Sequence, residues 1–233
     1  MKKAVLFDLD GTLLPMPSQE EFVKIYFGEL VKKRNYDPER LIDTVWKGTK
    51  AMVLNETNEE VFWGVFTSEL GDIIEDFDDL KEAYNDFYDN EFNKARVATY
   101  PNENAKKLVE HLKARGIRII LATNPIFPLC AVSTRLSWID LKLEDFDFVT
   151  TYENMSACKP NPRYYQDILN ENALKEDEVI MIGNDVNEDI LPTSKIGIES
   201  LLILDTVIGD VNSVDVPEMT FEELLTEIDK YID

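Results

Sequence analysis

The chain of 233 residues has one histidine, two cysteines, and only 24 lysines and arginines against 46 aspartates and glutamates. Each shortage excludes something. Cys130 and Cys158 are too few for a disulfide framework and lack the spacing of zinc ligands. The formal net charge of −22 argues against nucleic acid, which needs a basic footprint, and against anionic membrane surfaces. No apolar run approaches membrane-spanning length. Lys2-Lys3 is followed only by Ala4 to Phe7 before Asp8 intervenes, too short a stretch for the core of a signal peptide. There is no internal repeat and no low-complexity segment. A soluble, cytoplasmic protein is expected, and the length with 44% apolar content fits one domain carrying a large insertion.

The most informative stretch is Val5-Leu6-Phe7-Asp8-Leu9-Asp10-Gly11-Thr12, an apolar strand running into two carboxylates spaced by one residue. Side chains on a strand alternate faces, so Asp8 and Asp10 start on one side. Gly11 permits a tight turn that leaves room for a ligand above them. Such a pair suits a hard cation, and one member could serve as a nucleophile. Asp-x-Asp-Gly also makes ordinary turns, so the later segments decide. Ile117 to Ala122 reads as a second buried strand ending in Thr123-Asn124. Lys159-Pro160-Asn161-Pro162 is a stiff loop bearing one cation. Val179 to Ile182 is a third strand, ending in Gly183-Asn184-Asp185-Val186-Asn187-Glu188-Asp189. Each places polar groups just past a short apolar run, where open α/β sheets bind ligands.

From residue 99 the pattern alternates: helix 102–115, strand 117–122, helix near 128–137, strand 147–150, helix 162–172, strand 179–182, helix 187–195 and strand 199–204. Thr220 with Glu223 opens a last helix to Tyr231. This predicts an α/β fold, a doubly wound parallel sheet with a Rossmann-like core, built from residues 1–15 and 99–233. Residues 16–98 break the alternation. Ser18 to Glu21 and Thr57 to Glu60 read as capping boxes, Asp37-Pro38 starts a helix through Trp46, and Glu75 to Asp79 reads as a solvated turn or helix start. Phe22, Tyr26 and Leu30, and again Tyr84, Phe87, Tyr88 and Phe92, recur at helical spacing. Four helices and no strand are expected there. Its many aromatics are read as the bundle's own core, with one or two rings facing a ligand.

The set Asp8-Leu9-Asp10-Gly11-Thr12, Thr123-Asn124, Lys159-Pro160 and Gly183-Asn184-Asp185 with Asp189 resembles the haloacid dehalogenase superfamily, in particular its phosphatase branch. The resemblance implies that 16–98 is an inserted α-helical cap that shapes the substrate pocket. It also implies Mg²⁺-dependent hydrolysis of a small phosphorylated metabolite. Asp8 would be the nucleophile that forms an aspartyl-phosphate. Asp10 would be the acid that protonates the leaving alkoxide and then the base that activates water. Thr123 and Asn124 would hold the phosphoryl group, and Lys159 would neutralise charge on Asp8 and on the group in transfer. That local cation matters in so acidic a chain.

Mg²⁺ would take a carboxylate oxygen of Asp8, the main-chain carbonyl of Asp10 and one side chain from the third strand's end. There the sequence departs from the family's usual Gly-Asp, because Asn184 follows Gly183. Either Asn184 or Asp185 could fill the ligand position. Asp185 is favoured, since a carboxylate binds Mg²⁺ better than an amide. Asn154, Ser156 and Arg163 beside the lysine loop read as structural, as does His111 in mid-helix. The alternatives are a phosphomutase, which the absence of a histidine in 16–98 disfavours; a dehalogenase, which would not use Asp10; and a binding or regulatory protein on this fold. The sequence is silent on oligomeric state.

Overall fold

The computed structural model describes residues 1–33, 36–54, 58–74 and 76–233. Its sheet contains β1 (Ala4–Phe7), β2 (Arg118–Leu121), β3 (Phe148–Val149), β4 (Val179–Gly183), β5 (Glu199–Ile203) and β6 (Glu218–Met219). All neighbours are parallel, in the order β3-β2-β1-β4-β5-β6. β1 and β4 are buried along their whole length, as befits parallel strands covered on both faces. β6 was not expected; two residues carry too little periodicity to be read.

β1 is central, and the register sets Phe7 beside Leu121 on one side and Ile182 on the other. Asp8 follows directly, with Thr123 and Asn184 one residue further along their strands, so all three leave the sheet close together at its carboxyl edge. The chain crosses from β1 to β2 on one flank and later to β4 on the other, so this edge is the point where strand order reverses.

Between β1 and β2 lie α1 (Gln19–Lys33), α2 (Pro38–Leu54), α3 (Asn58–Leu70) and α4 (Phe77–Asp89), then a 3₁₀ stretch Glu91–Ala98 and α5 (Glu103–Ala114). The four helices expected in 16–98 are present. Ser18 caps α1, its hydroxyl accepting from the Glu21 N–H at 3.1 Å, and Asp76 caps α4 by accepting from the N–H groups of Asp78 and Asp79. Thr57, the expected cap of α3, lies outside the described residues. α2 runs eight residues past Trp46. Gly48 sits within it because Phe62 of α3 packs onto that spot: a Cβ there would meet the Phe62 ring at 2.7 Å. The glycine marks a close approach between helices rather than a stop.

After β2 come α6 (Leu129–Ser137), α7 (Pro162–Glu171), a π-helical turn Val186–Ile190 leading into α8 (Leu191–Ser194), and finally α9 (Phe221–Glu227) and α10 (Asp229–Ile232). The reading of one α-helix over 187–195 is thus corrected. Pro192 has no N–H to give the Glu188 carbonyl four residues back, and the Tyr165 hydroxyl donates to that carbonyl instead, at 2.8 Å. The Leu191 N–H reaches back to the Val186 carbonyl, closing the wide turn.

Alternation along β1 divides the core. Val5 and Phe7 join a cluster that continues through Phe22, Phe66 and Phe87 of the inserted helices. Ala4 and Leu6 face a second cluster with Tyr164, Ile168 and Met181. No described helix is long and apolar enough to cross a membrane.

Candidate active site

Asp8, Asp10, Thr123, Asn124, Asn184 and Asp185 all line one cavity of about 370 Å³ at the carboxyl edge of the sheet. Lys159 does not itself line it but holds two of the acids that do. Its side chain is 1% exposed, and its Nζ donates to Asp8 Oδ1 at 2.8 Å and to Asp189 Oδ1 at 2.6 Å. The loop that delivers it is fixed by α7, where Asn161 caps the helix and Pro162 occupies its first turn. Burial pushes the Asp8 carboxyl up to about 7; Lys159 opposes that rise and Asp189 adds to it. Burial also works against the charge on Lys159, but Asp189 and Asp8 outweigh it and hold the amine well above its ordinary value.

On the other side of Asp8, the Thr12 hydroxyl lies 3.3 Å from Asp8 Oδ2 and 3.1 Å from Asn184 Oδ1. Asn184 is anchored by its amide, which donates to the Thr206 carbonyl at 2.7 Å, and this turns its oxygen toward Thr12. The Thr206 hydroxyl in turn donates to the Gly11 carbonyl. Gly11 has φ +94°, and a Cβ on it would collide with the Asn184 amide. Glycine is required there both for the turn and for the passage of Asn184.

Asp185 is used differently. Its Oδ1 accepts from the N–H groups of Asn187 at 2.7 Å and Glu188 at 3.0 Å, capping the π-helical turn. Burial raises its pKa, against the pull of those two N–H groups. Asp189 Oδ2 accepts from the Asp185 N–H at 3.0 Å, so Asp189 joins the turn to Lys159. Glu188 accepts from the Asn124 amide at 3.0 Å, and burial raises its pKa too.

Sequence reasoning missed Arg135 of α6. It is fully buried, and its guanidinium forms an ion pair with Asp10 Oδ2. It lies 4.5 Å from the centre of the Phe127 ring, while its Nε donates to the Ala131 carbonyl at 3.3 Å. Asp10 Oδ1 and Arg135 Nη2 are buried without a protein partner among the described residues. A signal existed: Arg135 shares the helical face of the buried Ala131, Val132 and Leu136. Thr206 was also missed, and nothing in its neighbourhood repeats a pattern that would have pointed to it.

The residues read as structural make local contacts. Asn154 bridges the Thr151 N–H and the Val149 carbonyl. Ser156 and Arg163 both contact Asp167. His111 pairs with Asp229 at 2.8 Å, tying α5 to the C-terminal helices. The aromatics of 16–98 form the bundle's core as expected, but more of them border the cavity than the one or two rings expected to face a ligand. Phe22, Tyr26, Phe27, Trp46, Phe62 and Tyr88 all line the cavity, and all but Trp46 are also buried in the core.

A buried lysine between two carboxylates, with a third carboxylate beside them at a parallel sheet's reversal point, is an arrangement suited to nucleophilic or phosphoryl chemistry. The family model for haloacid dehalogenase-like hydrolases matches residues 2–197, and the chain belongs to that family of hydrolases. It is similar to the glyceraldehyde 3-phosphate phosphatase of Methanocaldococcus jannaschii, 26% identical over 98% of this chain and 96% of that one. It is also similar to the pyrophosphatase PpaX of Bacillus cereus, 23% identical over 88% of this chain and 84% of that one. Among solved structures, the HAD hydrolase YfnB of Bacillus subtilis, solved bound to magnesium, superposes with a TM-score of 0.58 at 17% identity, covering 97% of each chain.

Proposed function

We propose that the protein is a Mg²⁺-dependent phosphomonoesterase that hydrolyses a small phosphorylated metabolite through a phosphoryl group carried on Asp8. The observation that carries this reading is the Lys159 bridge between Asp8 and Asp189 with Asp10 alongside, all at one strand edge. Both curated relatives are named as phosphate-releasing enzymes, which supports the same class. Residues 16–98 are read as the cap over a core formed by 1–15 and 99–233.

The donor set fits a hard cation. Among the described residues no three acidic, histidine or cysteine side chains stand ready as a cluster. Asp8 Oδ2 and Asn184 Oδ1 nevertheless lie within reach of one hydroxyl, and both are the oxygen donors that Mg²⁺ prefers. Asp8, the Asp10 main-chain carbonyl and Asn184 would hold the ion. Asp185, whose Oδ1 caps the next turn, is the weaker candidate on this geometry, although the sequence favours it. When bound, the ion supplies positive charge to the phosphoryl oxygens and favours ionised Asp8.

The chain's own groups do the rest. Asp8 attacks phosphorus through one carboxylate oxygen, while Lys159 offsets charge on the nucleophile. Thr123 and Asn124 orient the phosphoryl group. Asp10, which lines the cavity and whose Oδ1 has no protein partner among the described residues, gives a proton to the leaving alkoxide and then takes one from the attacking water. Arg135 fixes the other oxygen of Asp10 and so aims the first.

Phosphate release from a generic alkyl or aryl phosphate, dependent on Mg²⁺ and stopped by chelator, tests this reading. Acid quenching with a labelled ester should leave label on the wild-type protein and none on Asp8→Asn. Full release in metal-free buffer would sink the metal assignment, and no release from any ester would leave a binding protein on this fold.

A further inference from the structure

The two curated relatives part with different leaving groups, and the cavity of this chain discriminates between such groups. Asp8 and its neighbours form the floor. Above them the walls are Phe22, Tyr26, Phe27, Val45, Trp46 and Phe62. The polar side chains among the upper walls are uncharged: Gln19, Thr49 and the mutually hydrogen-bonded hydroxyls of Tyr26 and Tyr88. Among the described lining residues there is no lysine, arginine or histidine, while Glu188 and Asp185 add negative charge at the rim of the floor. The two buried cations nearby are already engaged: Lys159 by Asp8 and Asp189, and Arg135 by Asp10. Arg135 does not line the cavity, although the Phe127 ring it stacks on does.

Resting on the phosphatase reading, we propose that the substrate is a phosphomonoester whose leaving group is uncharged and largely apolar, and that esters with an anionic leaving group are discriminated against. A carboxylate or second phosphate carried up into this space, away from the floor, would be desolvated against aromatic walls with no side-chain cation to meet it, among the costliest arrangements in a protein. An apolar ring or short alkyl chain gains from the same burial and stacks on the rings already there. The volume lies at the low end of the roughly 300–1,000 Å³ usual for ligand pockets, room for a phosphoryl group and one ring or short chain. Trp46, half exposed beside the buried rings Phe22, Tyr26, Phe27 and Phe62, borders both solvent and the cavity.

The test compares kcat/KM for benzyl phosphate, phosphoglycolate and pyrophosphate at saturating Mg²⁺. Binding of the same three compounds to the Asp8→Asn protein is measured by calorimetry. Benzyl phosphate should be preferred by tenfold or more in both measurements. Val23→Lys, which sets a cation in the α1 wall of the cavity, should narrow the ratio at least threefold in favour of phosphoglycolate. Equal or better use of phosphoglycolate or pyrophosphate by the wild-type enzyme would overturn the proposal. If no ester were hydrolysed, the phosphatase reading would fall, and the binding ratio alone would still decide the character of the pocket.

Discussion

Arg135 and Asp10 form an ion pair in which the cation is wholly buried and the carboxylate belongs to a residue that lines the cavity. The pair is asymmetric. Removing Asp10 strands a guanidinium out of reach of water, whereas removing Arg135 leaves a carboxylate that still borders the cavity. Asp10→Ala should therefore cost stability as well as activity, about 3 kcal/mol in chemical denaturation, as expected for breaking a buried pair from one side. Adding Arg135→Met to that variant should restore most of the loss. If the two losses simply added, the pair would not be coupled.

Asp8→Asn should behave in the opposite way. Asp8 is a buried carboxylate whose proton affinity is raised by that burial, and Lys159 keeps Asp189 as a partner when Asp8 becomes an amide. Turnover should vanish through kcat, not KM, while thermal stability holds or rises, the usual trade at a site tuned for chemistry. A variant retaining a tenth of wild-type kcat would exclude Asp8 as the nucleophile.

Lys159 offers the complementary case. Its amine is the cation that the structure records on both Asp8 and Asp189, two buried acids. Lys159→Met should destabilise the fold by about 3–5 kcal/mol, because two carboxylates lose their counter-charge in a dry site. Lys159→Arg should not rescue it, since a planar fork does not replace a compact ammonium donating to two oxygens in that space. Urea denaturation of both variants reads this directly, and a normal midpoint in Lys159→Met would mean that the acids find another partner.

How much of this was legible depended on whether the signal was local. The strand ends were readable because short apolar runs stop at polar residues, and each of Asp8, Thr123 and Asn184 sits one or two positions past such a stop. Four helices in 16–98 were readable from period and caps. Arg135 was not recognised, because a single arginine on a helix is commonly exposed; only its position among Ala131, Val132 and Leu136 set it apart. The π-helical turn at Val186–Ile190 depends on Tyr165, some twenty residues away in sequence, and no window over 186–195 contains that information. The orientation of Asn184 hangs on Thr206, brought to it by the loop after β5, and no local window spans both.

That last point gives the sharpest prediction. Asn184 presents an amide oxygen beside Asp8, where a carboxylate would bring a full charge to a divalent cation. Asn184→Asp should lower the Mg²⁺ concentration for half-saturation by about tenfold, or about 1.4 kcal/mol. The gain is offset in part by loss of the amide bond to the Thr206 carbonyl. Asn184→Ala should raise the requirement, and Asp185→Ala should raise it less, because its Oδ1 is committed to the N–H groups of Asn187 and Glu188. Asp185→Ala should instead loosen the turn, seen as faster amide exchange at those two residues. Calorimetric titration of each variant with Mg²⁺ alone, without substrate, separates metal affinity from chemistry. A larger effect from Asp185→Ala than from Asn184→Ala would return the metal to the carboxylate.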